Sequence, residues 1–348
     1  MIYKPQHTKN KMFSIAIIGV TGLVGKKLLQ LLEKSKIKDF KLHLFASSKS
    51  KGKKIFFRKN VYEIQEVYEN SFKGIDLAFF CAGANISKKF VQYAKAANTT
   101  VIDSSSAFRC MEDIPLVIPE INSHAITEKS SIISSPNCTT TILLMPIYLL
   151  HRKFRIRRIV TSTYQAASGG GVKLINKLLK ETKEALENPN KLHHGFFYGF
   201  NLFLHETAYN PFHYSEEEAK MIFETRKILE DPKILVSATC VRVPVLRAHS
   251  IAANIEFYND FTLEEVYNII KTTPKVRIIE DFKNRRFATP MDATGSFDTL
   301  CSRIRKDPFQ PRTIEMWIVG DQLLKGAALN ALQLAEIVIK QKRGLLCS

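Results

Sequence analysis

The sequence predicts an α/β chain in two parts: a doubly wound parallel sheet, then an α+β region built on a mixed sheet. Three observations carry that reading. The apolar run Ile15–Ile18 is followed by Gly19, Gly22 and Gly25 at spacing three, then by a helical stripe of Leu28, Leu29, Leu31 and Leu32. Short apolar strands then alternate with helical stretches as far as Pro136. After about residue 157 the texture changes to longer β-branched runs.

Strand, glycine turn and helix form the first unit of a Rossmann-type sheet. In GVTGLVG the glycines permit a tight turn, and Thr21, Leu23 and Val24 line the entry to the helix. A pyrophosphate can then approach the free N–H groups of the helix N-terminus. The spacing is a variant of the commoner GxGxxG, and a glycine turn that binds nothing is the alternative. The second strand, KLHLFA, runs into Ser47, Ser48, Lys49 and Ser50. An NAD enzyme typically places an acid there for the ribose 2′-hydroxyl. Lys49 and the hydroxyls of Ser47 and Ser50 suit a 2′-phosphate instead, which favours NADP(H); a solvated basic loop is the alternative. Strands are expected at Leu77–Cys81, Thr100–Asp103 and Ile132–Ser134, with a helix over Ser87–Ala97.

In the second part, RRIVTSTYQAASGGG, VSATCVRVPV, SIAANIEFY and MWIVGD predict strands. Capping boxes at Ser215-Glu-Glu-Glu218 and Thr262-Leu-Glu-Glu265 predict helix starts. The amphipathic segment LLKGAALNALQLAEIVIKQ is expected to return and pack on the first part.

Composition narrows the function classes. The 348 residues are 45% hydrophobic and 24% charged, as in soluble globular proteins. The longest apolar run, Ile142–Leu150, is too short for a membrane span and contains Pro146. Residues 1–11 carry charge with no apolar segment behind them, so they read as a frayed extension rather than a secretory signal. Six scattered cysteines without a CxxC pair argue against structural zinc or a disulfide scaffold and for a reducing, cytoplasmic compartment. No metal is expected. The net charge of +18 is spread along the chain, with modest clusters at Lys49–Lys54 and His151–Arg158 and no nucleic-acid motif beside them. Attraction of a small anionic substrate is the better use of that charge.

One cysteine stands apart. In SSPNCTTT, Cys138 has turn residues before it and hydroxyls after it, just ahead of an apolar run. A helix starting there would face its free N–H groups toward the sulfur, which lowers a thiol pKa and can hold an oxyanion. A structural cysteine at a helix start is the alternative.

The motifs GVTGLVG, SSSAFR, SSPNCTTT, TYQAASGGG, ETRKI, CVRVPVLRAHS and DQLLKGAALNA occur in one order over about Phe13 to Ile339. Together they resemble the aspartate-β-semialdehyde dehydrogenases, and YGFNLFLHE resembles the short-insert form of that family. The resemblance implies reduction of β-aspartyl phosphate by NADPH to aspartate β-semialdehyde and phosphate, a step toward lysine, threonine, methionine and diaminopimelate. It implies a cytosolic homodimer or homotetramer. The NADP domain would span residues 12–137, completed by a C-terminal helix over 322–343, and the catalytic and dimerisation domain 138–321. Cys138 is then the nucleophile that forms a thioester, His249 the acid–base group titrating near pH 7, and Gln165 the amide that orients substrate. Arg242 would clamp the α-carboxylate and Glu217 receive the amino group, with Lys220 and Arg109 on phosphate and Asn137 on the carbonyl oxygen. Ser168, Gly169 and Gln322 would join the glycine turn in holding the cofactor.

Taken without the resemblance, several of these residues have ordinary roles. His249 suits a hydrogen-bonded turn, Gln165 a sheet edge, Arg242 a strand-edge ion pair, and Glu217 with Lys220 a helix-surface pair. Some positions depart from the family. Ser104 stands where Asn is common, Lys49 where an arginine meets the 2′-phosphate, and Gln322 and Leu324 where Asn and Arg are usual. The rival N-acetyl-glutamyl-phosphate reductases have Pro-Gly-Cys-Tyr at the nucleophile and a blocked substrate amine, which leaves Glu217 without work. Glyceraldehyde-phosphate dehydrogenases fit neither the Gln165 nor the Arg242 segment. A catalytically dead, nucleic-acid-binding relative would not need the complete set Cys138, Gln165, Arg242 and His249.

Overall fold

The computed structural model describes residues 12–190, 197–205 and 207–342; the expected N-terminal extension and Arg343 lie outside the described residues. Strand β1 (Phe13–Ile18) passes through the glycine turn into α1 (Leu23–Lys34). Gly19 takes a φ of +86°, and a Cβ on Gly25 would fall 2.3 Å from the Gly19 carbonyl oxygen. Only glycine allows strand and helix to meet that closely. There follow β2 (Phe40–Ala46), the hairpin of β3 (Lys54–Phe57) and β4 (Asn60–Glu63), and β5 (Gln65–Glu66). Next come β6 (Leu77–Phe80), α2 (Ala84–Ala96), β7 (Thr100–Asp103), α3 (Pro119–Asn122) and β8 (Ile132–Ser134).

These strands pair in the order β5-β2-β1-β6-β7-β8, and every pairing is parallel. Such a sheet needs both faces covered. Leu28 and Leu32 of α1 pack on one face, against Ile15 and Ile17; Phe90 and Val91 of α2 pack on the other, against Ile18 and Phe80.

Helix α4 (Cys138–Phe154) then carries the chain to the second sheet, where Ile142–Ile147 are fully enclosed. This part contains β9 (Ile156–Gln165), α5 (Gly171–Glu187), β10 (Phe203–Leu204), α6 (Glu216–Ile228) and β11 (Leu235–Arg242). It continues with β12 (His249–Phe257), α7 (Leu263–Thr272), β13 (Val276–Ile278) and the hairpin of β14 (Glu280–Asp281) and β15 (Arg286–Phe287). It ends with α8 (Pro290–Ala293), β16 (Thr299–Lys306) and β17 (Thr313–Gly320). The order β10-β11-β9-β12-β17-β16-β13 mixes parallel and antiparallel neighbours, as a mixed sheet should. Both expected capping boxes form, Ser215 with Glu218 and Thr262 with Glu265.

After β17 a single π-turn (Leu324–Ala328) leads into α9 (Leu329–Lys342). Leu332, Leu334, Ala335, Val338 and Ile339 of α9 join the core under the first sheet. Among the described residues no helix is long and apolar enough to cross a membrane.

Candidate active site

Strand register assembles one wall of the site. β9 and β11 run parallel with Gln165 and Arg242 as partners, so both side chains emerge at the same C-terminal edge. β12 runs antiparallel to β9, so His249 enters at that edge. The opposite wall is the junction of β8 with α4. Asn137 caps α4, its Oδ1 accepting from Thr139 N at 2.8 Å and Thr140 N at 3.3 Å. That leaves Cys138 at the first helical position. Gly326 of the π-turn packs against it so closely that a Cβ there would lie 2.8 Å from the Cys138 Cβ. Single π-turns are frequent at functional sites.

Between the walls lies a cleft of about 360 Å³. It brings together Cys138, Asn137, Gln165, Arg109, Glu217, Lys220, Arg242 and His249 with Leu23, Val24, Ser168, Gly169 and Gln322. Gly19, Thr21, Gly22, Gly25, Ser47, Lys49 and Ser50 do not line it. They sit at the glycine turn and beyond the end of β2, which Gly19 N joins by a 2.8 Å bond to Phe45 O. Ser47 and Lys49 are exposed there, and Ser50 is buried. The glycine turn has the shape a dinucleotide needs. The three glycines leave a bare cradle, the N-cap Gly22 offers no side chain to the α1 N–H groups, and the first turn of α1 has no acid.

The polar network is dense. Glu217 Oε1 accepts from Asn137 Nδ2 at 2.8 Å and Gln165 Nε2 at 3.3 Å, and its Oε2 meets Lys220 Nζ at 3.4 Å. Burial pushes the Glu217 carboxyl up, but His205, Lys220, Asn137 and Gln165 together bring it well below the usual carboxylate range. Glu217 is buried, so a helix-surface pair is the wrong description of it. Glu224, also buried, accepts from Asn137 N at 2.6 Å and Arg109 Nη1 at 3.0 Å. Charge-assisted bonds of this kind are strong ones. Arg109 Nη2 also donates to Ser104 O at 3.0 Å, while its Nε and the Ser104 Oγ are buried with no hydrogen-bond partner among the described residues.

Two electrostatic expectations are corrected. The Cys138 thiol is not lowered but pushed up to about 11, chiefly by burial and next by the Glu217 carboxylate. Thr139, Arg109 and Arg242 pull it down by less. His249 does not titrate near 7; burial, then the Arg242 charge, lowers it to about 3. Its Nδ1 accepts from Ala166 N–H at 2.9 Å, so the neutral ring carries its proton on Nε2. That Nε2 is buried with no partner among the described residues. Asn137, expected to hold a substrate oxygen, spends both ends of its amide on the helix cap and Glu217.

The sequence reading missed His205 and Glu224. His205 Nε2 lies 2.5 Å from Gln165 Oε1 and 2.9 Å from Arg242 Nη2. No local motif marks either residue beyond its place in YGFNLFLHE and ETRKI.

Comparison with known proteins agrees over nearly the whole chain. Residues 14–129 match the NAD binding domain of semialdehyde dehydrogenases, and residues 146–325 match their dimerisation domain. An aspartate-semialdehyde dehydrogenase of Synechocystis is 43% identical over 94% of this chain and 97% of its own. The solved aspartate semialdehyde dehydrogenase II of Vibrio cholerae is 35% identical, with a TM-score of 0.89 over 94% of this chain and 99% of that one. The same Vibrio enzyme has also been solved complexed with ASA, at 34% identity and a TM-score of 0.89 over 95% of this chain and 99% of that one.

Proposed function

Because this chain belongs to the aspartate-semialdehyde dehydrogenase family, a family of nicotinamide-dependent oxidoreductases, we propose that it reduces β-aspartyl phosphate with NADPH through a thioester on Cys138. The observation that carries this reading is the convergence of Cys138, Gln165, Glu217, Arg242 and His249 in one cleft.

The substrate's charges find partners placed apart. Arg242 takes the α-carboxylate and Glu217 the ammonium group. Arg109 Nε and Ser104 Oγ, buried without a partner among the described residues, take the phosphate with Lys220. An ammonium on Glu217 screens the carboxylate that raises the Cys138 thiol, so a bound substrate activates its own nucleophile. The sulfur–carbon bond then forms as the carbon–oxygen bond to phosphate breaks, and the thiol proton leaves with hydrogen phosphate.

The bound nicotinamide supplies a hydride for the thioester carbon. The oxyanion so formed on the Cys138 adduct faces donors of this chain, the His249 Nε2–H foremost. His249 therefore acts as a neutral donor rather than a base. Collapse of the adduct releases the aldehyde and a thiolate, which takes a proton from solvent because the empty site favours the thiol.

Lys49, Ser47 and Ser50, with no acid next to them along the sequence, support NADP(H) over NAD. The glycine turn, Thr21, Leu23, Val24, Ser168, Gly169 and Gln322 complete the cofactor site. The remaining parts of the reading are residues 12–137 with 322–343 as the NADP domain, 138–321 as the catalytic and dimerisation domain, and a cytoplasmic homodimer or homotetramer. The step would feed lysine, threonine, methionine and diaminopimelate synthesis.

Phosphate-dependent reduction of NADP⁺ tests this, with aspartate semialdehyde and N-acetyl-glutamate semialdehyde offered in parallel. Turnover of the first alone is expected, and Cys138→Ala should abolish it while leaving the circular dichroism spectrum unchanged. Turnover of the second alone would assign the chain to the N-acetyl-glutamyl-phosphate class.

A further inference from the structure

The His205 ring nitrogen is claimed from two sides. Gln165 Nε2 donates to Thr139 Oγ1 at 2.8 Å and to the Glu217 carboxylate at 3.3 Å, which fixes the amide with its oxygen toward His205. At 2.5 Å, His205 Nε2 must therefore donate to Gln165 Oε1, and the proton sits on Nε2. Yet Arg242 Nη2, which can only donate, lies 2.9 Å from the same nitrogen. One nitrogen cannot serve both. Arg242 Nη1 is already committed to Ala166 O at 2.9 Å, so Nη2 is the end left to find a better acceptor. Burial and the Arg242 charge keep the ring neutral, lowered to about 4. A protonated ring would worsen the clash of donors.

We propose that His205 is a positioning residue that locks the Gln165 amide beside the nucleophile, and that substrate completes the lock by drawing Arg242 Nη2 onto its own carboxylate. Before substrate binds, the Nε2–H faces both the Gln165 oxygen and a competing cation. Once a carboxylate takes Nη2, the His205 donor serves Gln165 alone. Through Thr139, whose Oγ1 is 3.9 Å from Cys138 Sγ, that fixes the amide edge lying next to the reacting sulfur. The inference rests on the reading of Arg242 as the carboxylate clamp.

The test compares wild type, His205→Phe and His205→Gln in the phosphate-dependent reduction of NADP⁺ with aspartate semialdehyde. Phenylalanine keeps bulk and loses the donor, so kcat should fall about tenfold, the worth of roughly one hydrogen bond. The KM for phosphate should stay within about twofold. Glutamine presents an N–H to Gln165 and a carbonyl to Arg242, so it should recover most of the lost kcat, which a merely space-filling role would not. A wild-type kcat in the phenylalanine variant, or a glutamine variant no better than it, overturns the inference. The ¹⁵N chemical shifts of His205 in the wild-type protein, assigned by their loss in His205→Gln, report the tautomer independently of activity. A proton on Nε2 is expected, and a proton on Nδ1 overturns the inference. If wild type fails to turn over aspartate semialdehyde while the Nε2 tautomer is found, the functional reading falls and the amide lock stands.

Discussion

Cys138 sits at the positive end of α4, yet burial first and the Glu217 carboxylate second push its thiol up to about 11. A helix end acts through partial charges over one turn, whereas burial in a low-dielectric cleft acts on the whole thiolate charge. On the proposed mechanism Cys138 is held as a thiol until the substrate's ammonium joins Lys220 at Glu217. Glu217→Gln removes the second-largest influence raising the thiol and frees Lys220 from its partner. The thiol pKa should therefore fall. A lower pKa raises the thiolate fraction at pH 8, so alkylation of Cys138 by iodoacetamide should be faster than in wild type. Unchanged alkylation would mean that burial alone sets the thiol and that substrate cannot activate it through Glu217. Turnover should drop in the same variant, because the ammonium partner proposed for the substrate is gone.

Elements explain why some of this could be read in advance and some could not. The glycine turn into α1 and the capping boxes at Ser215 and Thr262 are local signals, and each forms where the sequence places it. The polar positions in SSPNCTTT likewise mark the start of α4, since Asn137 caps it two and three residues ahead. Glu224 is different: on α6 it bonds Asn137 from 87 residues away, and no spacing rule reaches that far. His205 meets Gln165 across 40 residues for the same reason. The parallel pairing of β9 with β11, which sets Gln165 beside Arg242, also depends on topology rather than on either strand's own pattern. The π-turn packs directly on Cys138. Buried Lys325 anchors it, with Nζ at 2.5 Å from Glu120, 2.8 Å from Gln333 and 3.1 Å from Asn330. A methyl at Gly326 would press on both the Cβ and the Cα of Cys138, at 2.8 and 3.2 Å. Gly326→Ala should thus cost about 1–3 kcal/mol of stability and displace Cys138, lowering kcat about tenfold or more. Kinetics with a thermal melt would show it. A variant that melts lower but keeps wild-type kcat would mean the turn yields and the thiol does not.

At the scale of the molecule, the cleft buries histidines as neutral rings, and that ties its stability to pH. His205 falls to about 4 under burial and the Arg242 and Lys220 charges, against the pull of Glu217 and Glu218; His249 falls to about 3 under burial, Arg242 and His205, against Glu217. Unfolded, both titrate near 6.5. Below 6.5 the unfolded chain therefore binds protons that the folded chain refuses until its own lower pKa is reached. Stability must then fall as pH drops through that window. Glu217 acts in the same direction but only below its unfolded value of 4.5, since its folded pKa is lowered. Glu224, raised by burial, acts oppositely above 4.5. Comparing variants separates these contributions. Between pH 6.5 and 5.0 His205 alone should withdraw about 1.5 kcal/mol from the wild-type protein. The urea midpoint of wild type should accordingly drop over that interval, and that of His205→Gln should drop less by a matching amount. Parallel midpoint curves for the two proteins would place the His205 ring in contact with solvent, charged freely at pH 5, and no longer able to hold the Gln165 amide as a neutral donor.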